Sequence, residues 1–86
     1  MTFAFIIMGD FDPRQDRAAI HGGSARMVGV ADLEQACEAA RELCAAGVEC
    51  IEPCGAFGEE GARRVIEEYG KQVATPAEAR GILGLK

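Results

Sequence analysis

The chain has 86 residues with 14 acidic and 9 basic groups, a net charge of −5, and a hydrophobic content of 49%. This composition is typical of a globular domain, and the scattered basic residues argue against a nucleic-acid partner. The longest apolar run, FAFIIM, is too short to cross a bilayer, and no basic region precedes it as in a signal peptide, so we expect one cytoplasmic domain over residues 1–86 with no membrane association.

The first third of the chain predicts two strands with a short helix between them. Residues 2–8 are apolar throughout, which is typical of a strand buried on both faces. Asp12 can cap, and Pro13 can begin, a short helix over residues 13–20. The apolar run at residues 26–30 predicts the second strand.

A helix beginning after Asp32 is the clearest element of the sequence. Its apolar positions recur every three or four residues, and Gly47 can end it in a left-handed conformation. Cys37 and Cys44 lie on its apolar face, so we assign both thiols to the core.

The remaining chain continues the alternation of strands and helices. A third strand is predicted at 48–53, a helix at 60–69, a fourth strand at 71–74 and a last helix at 75–83. Such alternation predicts an α/β fold with a small, mostly parallel four-stranded sheet in the order β-(short α)-β-α-β-α-β-α, joined by right-handed crossovers.

In an open parallel sheet the ligand crevice lies beyond the carboxyl ends of the strands, so side chains that follow the strands share one edge. Asp10, Asp32, Glu52 and Cys54 hold such positions. Strand alternation places Glu52 on one face with Val48, Cys50 and Cys54. A carboxylate among apolar neighbours is either exposed beyond the sheet or held by a partner, and backbone N–H groups of a neighbouring loop would satisfy it without any catalytic role.

Cys54 precedes a helix N-terminus, a setting that favours a reactive thiolate, although free cysteines are more often inert and buried. His21 is the single histidine and could act as a general base for Cys54 if its HGGS loop folds over that edge. No paired-ligand motif accompanies these residues, so we predict no metal site, and no cofactor is assigned.

Three glycines recur between the third strand and the following helix, at Gly55, Gly58 and Gly61. Their spacing differs from nucleotide-binding fingerprints, yet a glycine-rich turn before a helix can present backbone N–H groups to an anion. Glu59 and Glu60 occupy the same helix start and would repel phosphate. Phe57 is either a loop anchor packing on the core or a wall of a pocket.

The segments AFIIMG, MVGVADLEQA and above all GVECIEPCGAFGEEGARRVIEEYG resemble a family of small bacterial and archaeal α/β domains classified only as a domain of unknown function. The resemblance covers roughly residues 3 to 70. Its pattern Glu-x-Cys-Gly-x-Phe-Gly falls here on Glu52, Cys54, Gly55, Phe57 and Gly58. Relatives continue into a longer apolar fourth strand, from which this chain departs. The resemblance implies the fold and highlights those residues, and it implies no activity.

Three functional hypotheses follow. The first is a small homo-oligomer that binds a small polar or anionic ligand at the carboxyl edge. Its ligand-binding candidates are Asp10, Glu52, Cys54, Gly55, Phe57 and Gly58. The second is an enzyme with Cys54 as nucleophile or Glu52 as acid or base, for which His21 is the third catalytic candidate. The third is a structural or oligomerisation module without a ligand of its own.

Overall fold

Residues 1–71 are described by the computed structural model, and they form one sheet covered by two helices. The elements are β1 (Phe3–Met8), β2 (Arg17–Ile20), β3 (Ala25–Val30), α1 (Leu33–Ala45), β4 (Cys50–Pro53) and α2 (Gly58–Gly70). Single turns of 3-10 helix precede β3 and α2, at His21–Gly23 and Gly55–Phe57. Neither helix of this part of the chain is long and apolar enough to cross a membrane.

The strand order is β2-β3-β1-β4, and β1 pairs in parallel with both β3 and β4. The prediction of a small, mostly parallel four-stranded sheet is therefore confirmed. The predicted strand at 71–74 and helix at 75–83 lie outside the described residues, apart from residue 71 itself. The fourth strand of the observed sheet is β2, which runs antiparallel to β3.

The predicted short helix over residues 13–20 is wrong. Asp12 does act as a cap, because its Oδ1 accepts a hydrogen bond from the Arg14 N–H at 3.0 Å. The chain completes only one turn, closed by the Asp16 N–H on the Asp12 carbonyl, and then extends as β2. Eight residues are too few for a stable isolated helix, whereas the free edge of β3 offers backbone partners to residues 17–20.

Both helices pack on the same face of the sheet, where the core lies. Ala4 and Ile6 of β1 are fully buried there, as are Val30 of β3 and Val65 of α2. The predicted burial of β1 on both faces is wrong for the described residues 1–71, because Phe5 on the other side is 38% exposed. Successive strand residues point to opposite faces, so helices on one side cover only every second residue.

We call the uncovered side of the sheet the open face. It is formed by Phe3, Phe5 and Ile7 of β1, Ala25, Met27 and Gly29 of β3, Ala18 and Ile20 of β2, and Cys50 and Glu52 of β4, as the pairing register assigns them. Nine of these ten residues are uncharged, and Glu52 is the exception.

Local signals define α1 as expected. The Asp32 Oδ1 accepts a hydrogen bond from the Gln35 N–H at 2.8 Å, and Gly47 adopts φ 87° after the helix. Cys37 is buried in the core and Cys44 packs against it half-buried, and burial raises the pKa of both thiols. The core assignment of these two cysteines is confirmed.

Candidate functional site

The carboxyl ends of β1, β3 and β4 meet at one edge of the sheet. Met8 lies opposite Val30 in the register, and the Cys54 N–H donates to the Ile6 carbonyl at 2.9 Å. Asp10 and Asp32 follow two of these strands, and Cys54 follows the third. Parallel pairing thus brings the strand-end residues to the same edge, which we call the carboxyl edge.

Cys54 links the ends of β1 and β4 at this edge. Its Sγ accepts a hydrogen bond from the Met8 N–H at 3.4 Å, and the half-buried side chain packs against the core. These contacts satisfy a backbone donor that would otherwise face the end of the sheet. Cys54 therefore has a structural role at the ends of β1 and β4. A role as a catalytic nucleophile would also require a general base nearby.

His21 lies at the opposite edge of the sheet. It follows Ile20, which pairs with Ala25, and Ala25 in turn pairs with Phe3 at the beginning of β1. Five residues of extended strand, about 16 Å, separate this row from the end of β1. The structure therefore does not bring His21 and Cys54 together, and residues 1–71 contain no group of three or more His, Cys, Asp or Glu side chains arranged to hold a metal ion.

Glu52 points onto the open face. It is exposed and lies opposite Phe5 in the register of β4 with β1. The strand begins only at Cys50, so Val48 does not share this face as predicted and is instead buried in the core. An exposed carboxylate at an edge strand needs no partner, because water solvates it.

The three glycines of the GAFGEEG segment have three different roles. Gly55 has open space around the position of a Cβ, and Gly58 has φ 68° and ψ 178°. A Cβ on Gly61 would approach the Cβ of Phe57 to 3.2 Å, so Gly61 leaves room for that ring. Phe57 is buried in the core. Of the two roles predicted for it, it is therefore the loop anchor and not the wall of a pocket.

Replacing Gly58 by Ala is expected to lower the free energy of unfolding by about 1 to 2 kcal/mol, because its backbone lies in a region that L-residues avoid. Gly55→Ala is the matched control, with space for a methyl group and no positive φ. We expect that variant to be nearly neutral in urea unfolding followed by circular dichroism. Equal losses in the two variants would contradict the assignment of different roles.

The open face carries the largest exposed apolar side chains of the sheet. Ile20 is 67% and Met27 43% exposed. The rings of Phe3 and Phe5 stand edge to face with centroids 5.7 Å apart and form a ridge along β1. Beside the ridge lies a shallow hollow of about 240 Å³ whose lining includes Ala18 and Ala25.

Phe11 closes the carboxyl end of the open face. A Cβ on Gly29 would lie 2.7 Å from the Phe11 Cγ, so the ring rests directly on the glycine backbone. A second hollow, of about 350 Å³, lies between Phe11, Ile7 and Met27 and has Gln15 and Asp16 at its border. Concave surface therefore continues across β2, β3 and β1, and its second hollow is partly polar because Asp16 and Arg17 line it.

The positions of the strand ends predict a site at the carboxyl edge and do not predict one on this face. A signal was present in residues 3–8, where no polar residue marks a solvent side of the strand. The apolar run indicates that both sides of the strand are covered, and it does not indicate what covers the second side.

Comparison with known proteins bears on the family and not on the function. No curated protein and no solved structure matches the chain. A family model described as a family of unknown function, DUF6506, matches residues 1–77. This match extends over most of the 86 residues and includes every element from β1 to α2. The chain belongs to DUF6506, a family of unknown function.

Proposed function

We propose that the protein is an assembly module in which two copies associate through the open face. The observation that supports this proposal is the uncovered half of β1. Strands with parallel neighbours on both sides are nearly always buried on both faces, yet within residues 1–71 Phe5 is exposed and Phe3 and Ile7 are only half-buried. A contiguous exposed apolar surface of this kind marks an interaction site.

The size of the domain favours association. A chain of this length buries only about 60–65% of the surface that its unfolded form exposes, so a second layer on the sheet adds much to a small core. Each large apolar side chain that becomes buried contributes about 1.5–3 kcal/mol. The loss of translational and rotational freedom on association opposes this gain.

The area of the face predicts the strength of the dimer. Four strands spaced about 4.8 Å apart and about five residues long project roughly 350 Å² per copy. This area is less than half of the about 800 Å² per partner that standard specific interfaces bury, so the proposed association is a weak one. We therefore expect a dissociation constant in the micromolar range and a measurable monomer at dilution.

Phe5→Glu tests the proposal. Light scattering after gel filtration, over low micromolar to submillimolar protein, is expected to show a concentration-dependent dimer for the wild type. Phe5→Glu is expected to weaken association by about 100-fold or more, since each interface would bury two unpaired carboxylates. Unchanged far-ultraviolet circular dichroism would show that the variant is folded.

Ala45→Glu is the matched control. It adds the same charge at an exposed position of α1, on the opposite side of the molecule from the open face. We expect it to dimerise like the wild type. A wild-type protein that stays monomeric over the whole concentration range would refute the assembly proposal.

A second proposed function is the binding of a small polar or anionic ligand at the carboxyl edge. Its support is the position of Asp10, Cys54 and Gly55 at one edge, beside the start of α2, which has no side-chain cap. Glu59 and Glu60 in the first turn oppose an anion. Titration of inorganic phosphate against amide chemical shifts is expected to move Gly55 and Gly58, and unmoved shifts at both glycines would reject an anion site there.

Catalysis by Cys54 or Glu52 stays a prediction. The pH dependence of alkylation at each cysteine of the native protein, with Cys54→Ala as control, checks the thiol. Fast reaction at Cys54 alone would favour the enzyme hypothesis. Reaction of all four cysteines only on unfolding would reject Cys54 as a nucleophile.

A further inference from the structure

We propose that the second copy docks with its strands nearly parallel to those of the first, about a two-fold axis that runs along the strand direction. The Phe ridge of each copy then fills the hollow of the other. This inference rests on the proposed assembly function and specifies the geometry of that same interface.

The open face has a ridge on β1 and, beside it, a hollow that Ile20 and Met27 border from the side of β2 and β3. The ridge of Phe3 and Phe5 lies on β1, and the hollow lies over Ala18 and Ala25 on β2 and β3. The ridge and the hollow lie side by side across the strands because β1 and β3 are neighbours in the sheet. A surface with a ridge next to a hollow can complement a copy of itself, as a two-fold interface requires.

The hollow is large enough for an aromatic ring. Its volume is about 240 Å³, whereas a cavity of about 150 Å³ in another protein binds benzene. Its lining includes the side chains of Phe5, Ile20 and Met27, which suit an apolar occupant. A phenyl ring from a second copy therefore fits the hollow in both size and chemistry.

The register of the sheet decides which axis brings ridge and hollow together. Ile20, Ala25, Phe3 and Cys50 form one row across the four strands. Rotation about an axis along the strands exchanges β1 with β3 and β2 with β4 while it preserves each row. Phe3 of one copy then faces Ala25 of the other, so at this row a large side chain meets a small one, while Phe5 faces Met27 in the next row of the open face.

An axis across the strands gives a poorer interface. It would stack β1 on β1, so the ridges would collide and the two hollows would face each other unfilled. It would also stack the edge strands β4, which carry Glu52, the single charged residue of the open face. Two carboxylates brought together in this way repel each other, whereas the axis along the strands places Glu52 above β2 of the other copy.

Charge on this face lies at its borders. Glu52 is on β4, Arg26 lines the hollow, and Asp16 and Arg17 line the second hollow. The ridge and hollow supply shape complementarity that needs no charge. Aligned packing of two twisted sheets, at about 30°, is the common arrangement of β layers and is compatible with this axis.

Chemical cross-linking distinguishes the two axes. In the proposed dimer β4 lies over β2, so Cys50 of one copy faces position 20 of the other. We expect Ile20→Cys, treated with a short bismaleimide, to give a covalent dimer whose linked peptides join residues 20 and 50. Each thiol adds across one maleimide double bond, so no oxidant is needed. Within one chain the two positions are three strand spacings apart, about 14 Å, which a short linker does not span.

The cross-linked pairs distinguish an error in the proposed axis from an error in the proposed dimerisation. Cross-links between two Cys50 residues, without 20–50 links, in a protein that dimerises would overturn the proposed axis and leave assembly intact. A monomeric wild type would overturn both. Ile20 is 67% exposed at an edge strand, so its replacement does not threaten folding.

A residue exchange gives a second readout. Ala25→Phe fills the hollow and is expected to weaken dimerisation by about tenfold. Adding Phe3→Ala to the same chain makes each facing pair again one Phe and one Ala, so most of the affinity is expected to return. If the double variant instead loses as much affinity as the two single variants together, residues 3 and 25 do not contact each other across the interface.

Discussion

Ile6→Ala is expected to lower the free energy of unfolding by about 2–5 kcal/mol, and Ile7→Ala by much less. The two residues are neighbours in β1 and lose the same atoms in the substitution. Ile6 is fully buried under the helices, whereas Ile7 is half-buried on the open face. A domain of this size has a stability near the lower end of about 5–15 kcal/mol, so Ile6→Ala is expected to be marginally stable.

Urea unfolding followed by circular dichroism checks this difference, at a protein concentration low enough for the wild type to be monomeric. Ile7→Ala is then expected to show its main effect in light scattering, as a weaker dimer. Similar losses of stability for both variants at dilution would contradict a one-sided core. If Ile6→Ala and Ile7→Ala both fold and weaken dimerisation equally, the open face is not the dimer interface.

Between pH 10 and pH 12 the wild type is expected to lose stability through Tyr69. Burial raises the pKa of Tyr69 to about 12, and its hydroxyl donates a hydrogen bond to the Val48 carbonyl. The unfolded-state value is about 10, so the folded state holds this proton more tightly. The contribution is complete below pH 10 and is lost as the pH rises towards 12, with a total on the order of 2–3 kcal/mol.

Tyr69→Phe isolates this contribution. It is expected to cost about 1–3 kcal/mol at neutral pH, because the Val48 carbonyl loses its donor, and to flatten the decline between pH 10 and pH 12. The buried thiol of Cys37 and the half-buried thiol of Cys44 titrate in both proteins, and the charge on Cys44 contributes to the raised pKa of Tyr69. Parallel stability curves for the two proteins over this range would show that Tyr69 does not titrate as described.

Local sequence signals predicted an element correctly where they agree with its packing in the folded protein. The cap at Asp32, the left-handed Gly47 and the apolar spacing between them predicted α1, because each acts within one or two turns of the chain. Residues 13–20 show the opposite case. Their local signals favour a helix, yet pairing with β3 supplies the backbone hydrogen bonds of β2 from outside the segment.

The candidate site was predictable only in part, for a similar reason. Parallel strands end at one edge whatever their order, so Asp10, Asp32 and Cys54 could be grouped from the sequence. The place of His21 depends on the direction of β2, which brings it to the far edge. The contact of the Cys54 Sγ with the Met8 N–H likewise depends on how two strand ends meet.

The sequence by itself determined the α/β class, helix α1, the third strand and the apolar character of β1 on both its sides. Only the tertiary structure decided that, within residues 1–71, both helices lie on one face of the sheet and leave the other open. The physical reason is that side-chain alternation specifies two faces for a strand, whereas the choice of cover for each face depends on the crossovers and the strand order. A strand that is apolar on both sides predicts that both are buried. The open face is the side on which the burying partner is proposed to bind.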